Sequence, residues 1–576
     1  MPASVSLTVD RDVPTRLRDD TTLYADVYRP AGPGPYPTLF ERTPYDKAVG
    51  GPSAFTLRAT TAGYAVVIQD VRGRFASEGE FTCFVNERPD GEDALEWLAA
   101  QPWCDGNIGM FGGSYVGLTQ WQAAMSGHPA LKAIAPSVTA ADYHAGWVYQ
   151  GGAFELGFNL SWTLGPLALN TIMRREGKGT DFQASLDGVD GLVEGFQRLP
   201  LAEHPLLATY APYYDEWLAH PTYDDYWAGL DVSAAHDRLA VAALNIGGWY
   251  DIFLKGTIDN FAGLRARAAT PELRQRQRLL LGPWNHGGRA RGNPIGAVDF
   301  GQRSTGAIAD VDGVQLRWFD RWLKGLDNGV DGEPAARLFV MGANVWRDEQ
   351  EWPLARTDWQ RWHLRGDGRA NTLNGDGALD REAPGAEPPD TYVYNPRNPV
   401  PTMGGGLCCN AVFTQGGAYD QRSVEAREDV LVYSTPPLTA PLEVTGPVQL
   451  VLYAGTSAPD TDFTAKLVDV APCGYARNLT DGILRARYRN SMSEGELVTP
   501  GEVVRYEIDL WSTSNVFLPG HRLRVEVSSS NFPRFDRNPN TGELPGRSAE
   551  MVSALQTIHH SAEYPSHLVL PVIPAS

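Results

Sequence analysis

The most constraining feature of the sequence is a short apolar run that ends in small residues and continues as a helix. The run is Asn107-Ile108-Gly109-Met110-Phe111, the small residues are Gly112-Gly113-Ser114, and the helical pattern begins at Tyr115. Glycines allow the backbone to turn sharply between a strand and a helix. Such a turn exposes the Ser114 hydroxyl at the sheet edge, where the free N–H groups of the helix start point. The stretch therefore predicts an exposed, nucleophilic serine.

This arrangement is typical of the nucleophile elbow of an α/β-hydrolase, with one departure. The usual pattern is Gly-x-Ser-x-Gly, whereas here Val116 occupies the place of the second glycine and the glycine follows at Gly117. The alternative interpretation is an ordinary Gly/Ser turn between a strand and a helix. The choice between them depends on whether the chain supplies catalytic partners for the serine.

Length and charge limit what the chain can be. The chain has 576 residues, more than one compact core accommodates, so several domains are expected. Its formal net charge of −20 disfavours nucleic acid and anionic membrane surfaces as partners. No apolar run approaches the length of a membrane span. These properties are typical of a soluble globular protein.

The amino terminus and the cysteines bear on the cellular compartment. Residues Met1–Asp10 lack a basic flank and an apolar core, so no signal peptide is expected. The five cysteines, at positions 83, 104, 408, 409 and 473, form no CxxC pair and lack the spacing of zinc ligands. We therefore expect free thiols, a cytoplasmic location and no metal site.

The order of apolar runs and helical patterns predicts three structural parts. Over residues 1–144 and again over 239–352, strands alternate with helices, which indicates a mostly parallel α/β-hydrolase sheet. The aromatic-rich residues 145–238 between them show helical patterns and no strand-like runs, and are expected to form an inserted cap. Residues 353–576 contain many short strands separated by turns, which predicts a C-terminal all-β domain of the jelly-roll type.

A nucleophilic serine needs a base, and the base needs an orienting acid. In an α/β-hydrolase these residues follow in the order serine, acid, histidine, each in a loop after a later strand. Asp251 follows the predicted strand over 239–246, and His286 follows the strand over 278–281. Both lie at carboxyl ends of parallel strands, where sites in open α/β sheets form. The sequence therefore favours Ser114, Asp251 and His286 as a catalytic triad.

Such a triad also needs hydrogen-bond donors for the oxyanion of the tetrahedral intermediate. The amide of Tyr115, directly after the nucleophile, is one. The loop expected to supply the second amide has no run of glycines and has the sequence Arg42-Thr43-Pro44-Tyr45-Asp46-Lys47. The Tyr45 hydroxyl is a candidate for the missing donor, although a tyrosine beside a proline is also a common packing arrangement.

Several motifs carry a resemblance to a known family, and they follow one another over nearly the whole chain. They are Arg42–Tyr45, Asp70–Phe81, Trp103–Phe111, Gly112–Tyr115, Gly248–Asp251, Gly282–His286, Arg337–Gly342, Asp460–Asp469 and Ser514–Gly520. As a set they resemble the cocaine esterase and X-Pro dipeptidyl-peptidase family of serine hydrolases. The resemblance implies Ser114 as nucleophile, His286 as general base and Asp251 as its orienting acid. It also implies an oxyanion hole formed by Tyr45 and Tyr115, and it implies no metal or organic cofactor.

The acyl pocket is expected to be aromatic and to lie between the cap and the C-terminal domain. Its candidate residues, which ordinary core packing would also explain, are Trp147, Phe154, Trp162, Phe253 and Trp284. Cys408 and Cys409 fall where relatives carry bulkier apolar residues, so the pocket is expected to be wider here. The Asp70–Phe81 motif is expected to be structural, because its glycines and charged pair would shape a loop near the site.

Alternatives of two kinds stay open. A dipeptidyl-peptidase or an α-amino-acid ester hydrolase must hold a free amine, which requires carboxylates near the site. The chain lacks the long N-terminal region of the large X-Pro peptidases, but an acidic cluster could come from Glu155, Asp215, Glu216, Asp224 and Asp225. A ligand-binding protein on a decayed hydrolase scaffold is disfavoured by the intact catalytic set. The expected substrate is a small-molecule ester or amide, and a homodimer is left open.

Overall fold

The computed structural model describes residues 6–50, 53–409 and 415–574, so residues 1–5 of the amino-terminal segment discussed above lie outside it. The first part of the chain contains β1 (Leu7–Arg16), β2 (Thr22–Pro30), β3 (Tyr36–Thr43), α1 (Lys47–Gly50), α2 (Ala54–Thr61), β4 (Ala65–Asp70), α3 (Glu87–Ala99), β5 (Cys104–Gly113), α4 (Tyr115–Met125) and β6 (Leu131–Ser137). The cap contains β7 (Tyr149–Gln150), β8 (Ala153–Phe154), α5 (Leu156–Trp162), α6 (Leu169–Glu176), α7 (Thr180–Asp190), α8 (Leu192–Gln197), α9 (Leu207–Tyr210), α10 (Tyr213–Ala219) and α11 (Asp225–Ala228).

The chain then returns to the first sheet before it enters the all-β domain. The returning part contains β9 (Ala242–Tyr250), α12 (Leu254–Arg267), α13 (Pro271–Gln275), β10 (Gln277–Asn285), α14 (Gly288–Arg291), α15 (Val311–Lys324), β11 (Ala336–Val340) and β12 (Val345–Glu349). The all-β domain contains β13 (Asp358–Arg365), β14 (Ala378–Asp380), β15 (Asp390–Tyr394), α16 (Arg422–Glu425), β16 (Leu431–Ser434), β17 (Leu442–Thr456), β18 (Asp462–Val470), β19 (Ala476–Arg485), β20 (Val504–Phe517), β21 (Arg522–Ser528), β22 (Ala554–His559) and β23 (His567–Ile573).

The first sheet has ten strands in the order β1-β2-β4-β3-β5-β6-β9-β10-β11-β12. The strands from β4 to β11 pair in parallel, and antiparallel pairs occur only at the two edges of this sheet. Central strands are covered on both faces, which explains why every residue of β4 is buried. On one face Val67 packs with α3 and α4, and on the other Val66 and Ile68 pack with α2 and α15.

The all-β domain contains eleven hydrogen-bonded strands in the described chain, with β17 and β20 forming a long antiparallel pair. The predicted fold class, an α/β-hydrolase domain with an inserted helical cap and a C-terminal all-β domain, is confirmed. The cap was expected to contain no strands, but β7 and β8, of two residues each, pair as a short hairpin. None of the helices in the described ranges combines the length and the apolarity that a membrane span needs.

Candidate active site

Ser114 lies at a sharp turn between β5 and α4. Its backbone has φ 61° and ψ −127°, outside both helical and strand regions, and the turn is held by hydrogen bonds from Ser114 N to Ser137 O (2.9 Å) and from Leu118 N to Ser114 O (3.0 Å). Gly112 has φ +119°, and a Cβ there would stand 2.3 Å from Val116 Cγ1. Only glycine fits at that position, so the turn is built to present the serine.

The shifted glycine of the elbow motif has a packing reason. A Cβ on Gly117 would stand 2.8 Å from the Thr139 side chain. Gly117 thus lets α4 lie close against the segment after β6. The valine at the usual glycine place is tolerated because its side chain packs over Gly112.

Asp251 and His286 form a close pair at the ends of β9 and β10. The Asp251 Oδ1 atom lies 2.7 Å from His286 Nδ1; the Asp251 side chain is fully buried, whereas 16% of the His286 side chain is exposed. An ionised carboxylate can only accept a hydrogen bond, so Nδ1 carries the hydrogen and Nε2 has a free lone pair. The Phe253 ring meets the imidazole edge-on at 5.3 Å between centroids and restricts its rotation. The pair has the arrangement of an oriented general base.

Tyr45 lies after β3, the strand next to β5, and its hydroxyl is held by the cap. Trp162 Nε1 donates a hydrogen bond to the Tyr45 oxygen at 2.9 Å. Burial raises the pKa of Tyr45, and the side chains of Trp162 and Ser114 are close enough to oppose that shift. Because the oxygen accepts from Trp162, the phenolic hydrogen is free to point to the space in front of Ser114. The structure therefore brings Tyr45 and Ser114 together.

Tyr115 contributes its backbone and its side chain to different environments. Its N–H belongs to the first turn of α4, where amides have no acceptor within the helix. Its hydroxyl donates to Glu87 Oε1 at 2.9 Å and accepts from Phe84 N at 3.1 Å. Glu87 also binds the buried Arg42 at 2.8 Å. The side chain thus anchors the elbow to α3, while the amide remains free for a ligand.

The predicted aromatic residues do not all lie together. Trp147 stacks on Phe253 at 4.1 Å between centroids and contacts Trp162 at 5.6 Å. Phe154 lies in the same cap cluster but contacts other cap residues. Trp284 lies in the other main core cluster, where its Nε1 donates to Ser304 O at 2.7 Å. The structure therefore places three of the five in one cluster that contacts His286 and Tyr45, and leaves Trp284 apart from them.

The cysteine prediction is wrong for one pair. Cys408 and Cys409 form a disulfide, which adjacent residues can close as a small ring, whereas Cys83, Cys104 and Cys473 are free as expected. The segment before this pair lies next to Asp251, since a Cβ on Gly406 would stand 3.2 Å from Asp251 O. Cys408 packs in the same cluster as the cap aromatics.

The acidic residues considered for amine recognition have other partners or positions. Glu155 is buried and lies 3.7 Å from Arg534 Nε, and burial raises its pKa to about 7. Asp224 binds His220 at 2.6 Å and accepts from Tyr226 N. Asp215 accepts from Glu203 N at 2.9 Å. Glu216 and Asp225 are exposed on the cap surface.

The Asp70–Phe81 motif, interpreted as structural, holds the loop that carries Tyr45. Asp70 accepts from Lys47 N at 2.8 Å and from Ala76 N at 3.2 Å. The fully buried Arg74 donates to Pro44 O at 3.1 Å and also reaches two carbonyls of the cap. Sequence reasoning missed these roles, and the only available signal was an arginine between glycine and phenylalanine in an apolar neighbourhood.

Comparisons with known proteins agree with this geometry. Residues 19–288 match the family described as X-Pro dipeptidyl-peptidase (S15 family), and residues 328–569 match the X-Pro dipeptidyl-peptidase C-terminal non-catalytic domain. Cocaine esterase from Rhodococcus sp. is 44% identical over 579 residues, which cover 98% of each chain. A solved aminopeptidase from a marine-sediment Thaumarchaeota archaeon is 27% identical with a TM-score of 0.83, over 100% of this chain and 99% of that one. A solved α-amino acid ester hydrolase is 26% identical with a TM-score of 0.81, over 99% and 97%.

A serine at a sharp strand–helix turn of a parallel sheet, with an aspartate–histidine pair at later strand ends, defines an enzyme of the α/β-hydrolase class. Two family models match the chain and one relative is 44% identical to it. The chain therefore belongs to the X-Pro dipeptidyl-peptidase (S15) family of hydrolases. The resemblance drawn from the sequence motifs is therefore confirmed.

Proposed function

We propose that this hydrolase cleaves carboxylic esters through an acyl-enzyme, with Ser114, His286 and Asp251 as its triad. The observation that carries the proposal is the 2.7 Å contact between Asp251 and His286 at the strand edge that also bears the Ser114 elbow. The 44% identity to a cocaine esterase supports an ester as the substrate. The expected substrate is a small molecule, and no metal or organic cofactor takes part in the proposed steps.

The reaction follows from the positions of the protons. His286 Nε2 takes the hydroxyl proton as Ser114 Oγ attacks the substrate carbonyl, and Asp251 stabilises the imidazolium through Nδ1–H. When the tetrahedral intermediate collapses, the bond between the former carbonyl carbon and the oxygen of the leaving alcohol breaks. His286 gives its proton to that oxygen. Water then attacks the acyl-enzyme by the same route and releases the acid and the free serine.

Two donors stabilise the oxyanion in this proposal. One is the Tyr115 amide at the start of α4, and the other is the Tyr45 hydroxyl, whose oxygen is fixed by Trp162 at 2.9 Å. One such donor typically contributes about 3–4 kcal/mol to transition-state stabilisation. The indole restricts the direction of the phenolic hydrogen before substrate arrives, which is what preorganisation requires.

The acyl group is proposed to bind against the cap aromatics next to these donors. Trp147, Trp162 and Phe253 form one packed cluster, and Phe253 also contacts His286. Such a wall favours aromatic or bulky acyl groups. Cys408, in the same cluster, extends the wall from the all-β domain. A series of esters with acyl groups of increasing size tests this pocket, and equal kcat/KM across the series would contradict it.

An activity on free-amine substrates is the second candidate, because the chain is 27% and 26% identical to solved structures of an aminopeptidase and an α-amino acid ester hydrolase. X-Pro dipeptide amides and amino-acid esters, each compared with its N-acylated analogue, separate this candidate from a plain esterase. A strong preference for the free amine would favour it. The acidic residues named from the sequence do not favour it, since Glu155 and Asp224 are already paired.

Covalent labelling tests the nucleophile directly. A fluorophosphonate probe is expected to label the wild-type protein at Ser114 and to leave Ser114→Ala unlabelled, with ester turnover in that variant reduced by about 10⁴-fold or more. A matched Ser137→Ala variant changes a serine at the end of the neighbouring strand and is expected to keep labelling. Absence of labelling in the wild type would instead favour a ligand-binding protein on a hydrolase scaffold.

We also propose a cytoplasmic location and no nucleic-acid or membrane partner. The support is the scattered pattern of most cysteines and the formal net charge of −20. We further propose a homodimer, and the molar mass of the purified protein measured by light scattering tests it.

A further inference from the structure

The disulfide between Cys408 and Cys409 is used by none of the steps proposed above. Its two residues differ in exposure, because Cys408 is buried and Cys409 is exposed to solvent. Cys409 also has φ +64°, a backbone conformation that residues other than glycine rarely adopt. The bond between the two sulfurs closes a small ring that includes the backbone between them, so it can keep Cys409 in this disfavoured conformation.

The segments on the two sides of the disulfide are fixed to each other. Gly405 N donates to Gly417 O at 2.8 Å, and Gly417 N donates to Gly405 O at 2.9 Å. A Cβ on Gly416 would stand 2.5 Å from Leu407 O, so the backbones of the two segments are in close contact. We call residues 405–409 and 415–417 the cysteine loop. Because its segments are paired, a backbone change at Cys409 is expected to move both of them.

The cysteine loop contacts the ends of the two strands that carry the proposed acid and base. A Cβ on Gly406 would stand 3.2 Å from Asp251 O, directly after β9. Asn285 Nδ2, at the end of β10, donates to Gly416 O at 2.7 Å. His286 is the next residue of the chain. The loop therefore packs against the backbone of the acid and holds the residue that precedes the base.

The other cysteines lack this combination of features. Cys83 and Cys104 are free and buried, and Cys473 is free and exposed in the turn between β18 and β19. A single thiol can only form a mixed disulfide with a reagent, whereas a pair can pass between dithiol and disulfide and retain nothing of the reagent. Exposed disulfides are also the ones that small thiols reduce most readily.

We propose that Cys408 and Cys409 are a redox modification site, and that their disulfide form holds Asp251 and His286 in working geometry. The proposal rests on the function proposed above, because it gives the pair a role in the same reaction. In the reduced form the ring is open, so Cys409 leaves its left-handed conformation and the cysteine loop moves relative to the strand ends. A displacement of about 1 Å at a catalytic centre costs up to roughly 100-fold in rate. The oxidised form is therefore the more active one.

Reduction of this site is a two-electron exchange with a low-molecular-weight dithiol. One thiolate of the dithiol attacks Sγ of the exposed Cys409, the disulfide bond breaks, and Cys408 leaves as a thiolate that takes up a proton. The second thiolate of the reagent then attacks the reagent sulfur bonded to Cys409. This step closes the reagent into a cyclic disulfide and releases Cys409, which also takes up a proton. The protein gains the two electrons and two protons that the dithiol loses, and the reverse exchange closes the ring.

Activity in the two redox states tests the proposal. Reduced or cyclic oxidised dithiothreitol sets the state of the full-length protein and is removed by desalting. The mass of the iodoacetamide-treated peptide that contains both cysteines gives the fraction reduced. We expect kcat for phenyl acetate to be about 10-fold lower in the reduced wild type, with little change in KM, and to recover on reoxidation. Equal kcat at full conversion would overturn the proposal, and so would a pair that the oxidised reagent does not close.

Two serine variants separate this pair from the other exposed thiol. Cys409→Ser prevents ring closure at an exposed position, so it should show the kcat of reduced wild type in both states. The kcat of oxidised wild type in this variant would overturn the proposal. Cys473→Ser is the matched control and should keep the full response to reduction. A response lost in Cys473→Ser would assign the effect to that thiol instead.

Failure of the redox site and failure of the proposed function give different results. If neither redox form hydrolyses an ester and Ser114 is not labelled, the proposed function fails. Hydrogen exchange of the wild type then decides the role of the cysteine pair. Faster exchange over residues 404–408 and 250–254 in the reduced form supports that role, and unchanged exchange overturns it.

Discussion

Individual side chains of the site owe their chemistry to burial more than to neighbouring charges. Burial raises the pKa of Tyr45, so its hydroxyl stays protonated and able to donate a hydrogen bond throughout the neutral range. Burial likewise raises the pKa of Glu41 to about 7, so the neutral form of this carboxyl persists to higher pH than usual. One physical effect, desolvation, therefore favours the neutral form of both groups.

Tyr45→Phe removes only the phenolic oxygen and keeps the ring that packs under the cap. We expect kcat for ester hydrolysis to fall by about 10²–10³-fold with little change in KM, because the lost hydrogen bond is made mainly in the transition state. Steady-state kinetics measure both constants. Trp162→Phe removes the indole N–H that lies 2.9 Å from the Tyr45 oxygen and orients it. This variant should show a smaller loss in kcat. Equal kcat in Tyr45→Phe and wild type would contradict the proposed oxyanion hole.

The raised pKa of Glu41 predicts that the stability of the protein depends on pH. Its pKa is raised to about 7 in the folded protein, so the folded state binds this proton more tightly than the unfolded state does. The stability of wild type due to this group is therefore lost as pH rises from about 4.5 to about 7. Glu41→Gln cannot ionise and should gain stability relative to wild type at pH 8, by up to about 3 kcal/mol, but not at pH 4.5.

Melting temperatures of Glu41→Gln and wild type at both pH values measure this difference. Asp312→Asn, whose carboxylate is exposed and paired, should show no such pH-dependent gain. A Glu41→Gln variant that is less stable than wild type at pH 8 would show that the carboxylate has a stabilising partner.

Sequence reasoning reached some residues of the site and missed others for a physical reason. Ser114, Asp251 and His286 follow strands, and strand order places them at one edge. The indole donor for Tyr45 was missed because Trp162 lies more than a hundred residues away in the cap.

At the scale of elements, the loop that carries Tyr45 is positioned by its neighbours. α1 begins directly after it at Lys47, whose N–H is held by Asp70 at the end of β4. The buried Arg74 then joins Pro44 O to Pro166 O (2.8 Å) and Leu167 O (2.9 Å) of the cap. One guanidinium therefore couples the loop that carries Tyr45 to the π-helical turn Thr163–Ala168.

Arg74→Met keeps most of the volume and removes the donors. Three backbone carbonyls lose their partner, so we expect an unfolding free energy lower by about 3 kcal/mol or more, together with a lower kcat because Tyr45 loses its support. Chemical denaturation and steady-state kinetics measure the two effects. Arg72→Met is the control, because Arg72 belongs to the same motif but pairs with Asp90 and Asp19 away from the Tyr45 loop. Similar kcat losses in both variants would argue against a positioning role for Arg74.

Element boundaries show where local sequence signals are sufficient. Helix α3 begins at Glu87 and has Glu87 and Asp90 in its first turn, and the buried Glu87 is paired with Arg42. The predicted strands over 239–246 and 278–281 continue to Tyr250 and Asn285. Those extra residues contain glycine and tryptophan and give no apolar pattern, but they lead directly to Asp251 and His286.

At the scale of the whole molecule, the all-β domain is part of the framework of the site. Tyr250 donates from the end of β9 to Asn478 O at 2.9 Å. The cap hairpin β7–β8 lies against β19, where Arg485 N donates to Gly151 O at 2.8 Å and a Cβ on Gly151 would stand 1.9 Å from Ile483 O. The sequence predicted the three parts but not this contact, because Gly151-Gly152 is equally typical of a free turn.

Asp536 joins the two parts most directly, and it supplies the last prediction. Its carboxylate accepts from Phe154 N at 2.9 Å and from the buried Arg485 at 2.8 Å. Asp536→Ala leaves an N–H of the cap hairpin unsatisfied and removes a charge from a buried network. The backbone hydrogen bonds of the hairpin and of β19 should therefore break more often. Hydrogen exchange should rise in residues 149–162 and in β19 together.

The control for this experiment is Asp420→Ala, which breaks an ion pair with Arg422 within the all-β domain and does not touch the cap. It should leave exchange over residues 149–162 unchanged. Faster exchange in β19 alone after Asp536→Ala would show that the cap and the all-β domain open independently. Coupled opening would mean that the aromatic wall of the cap is kept rigid by a domain that contributes none of the proposed triad, because the hairpin leading into that wall is held from both sides.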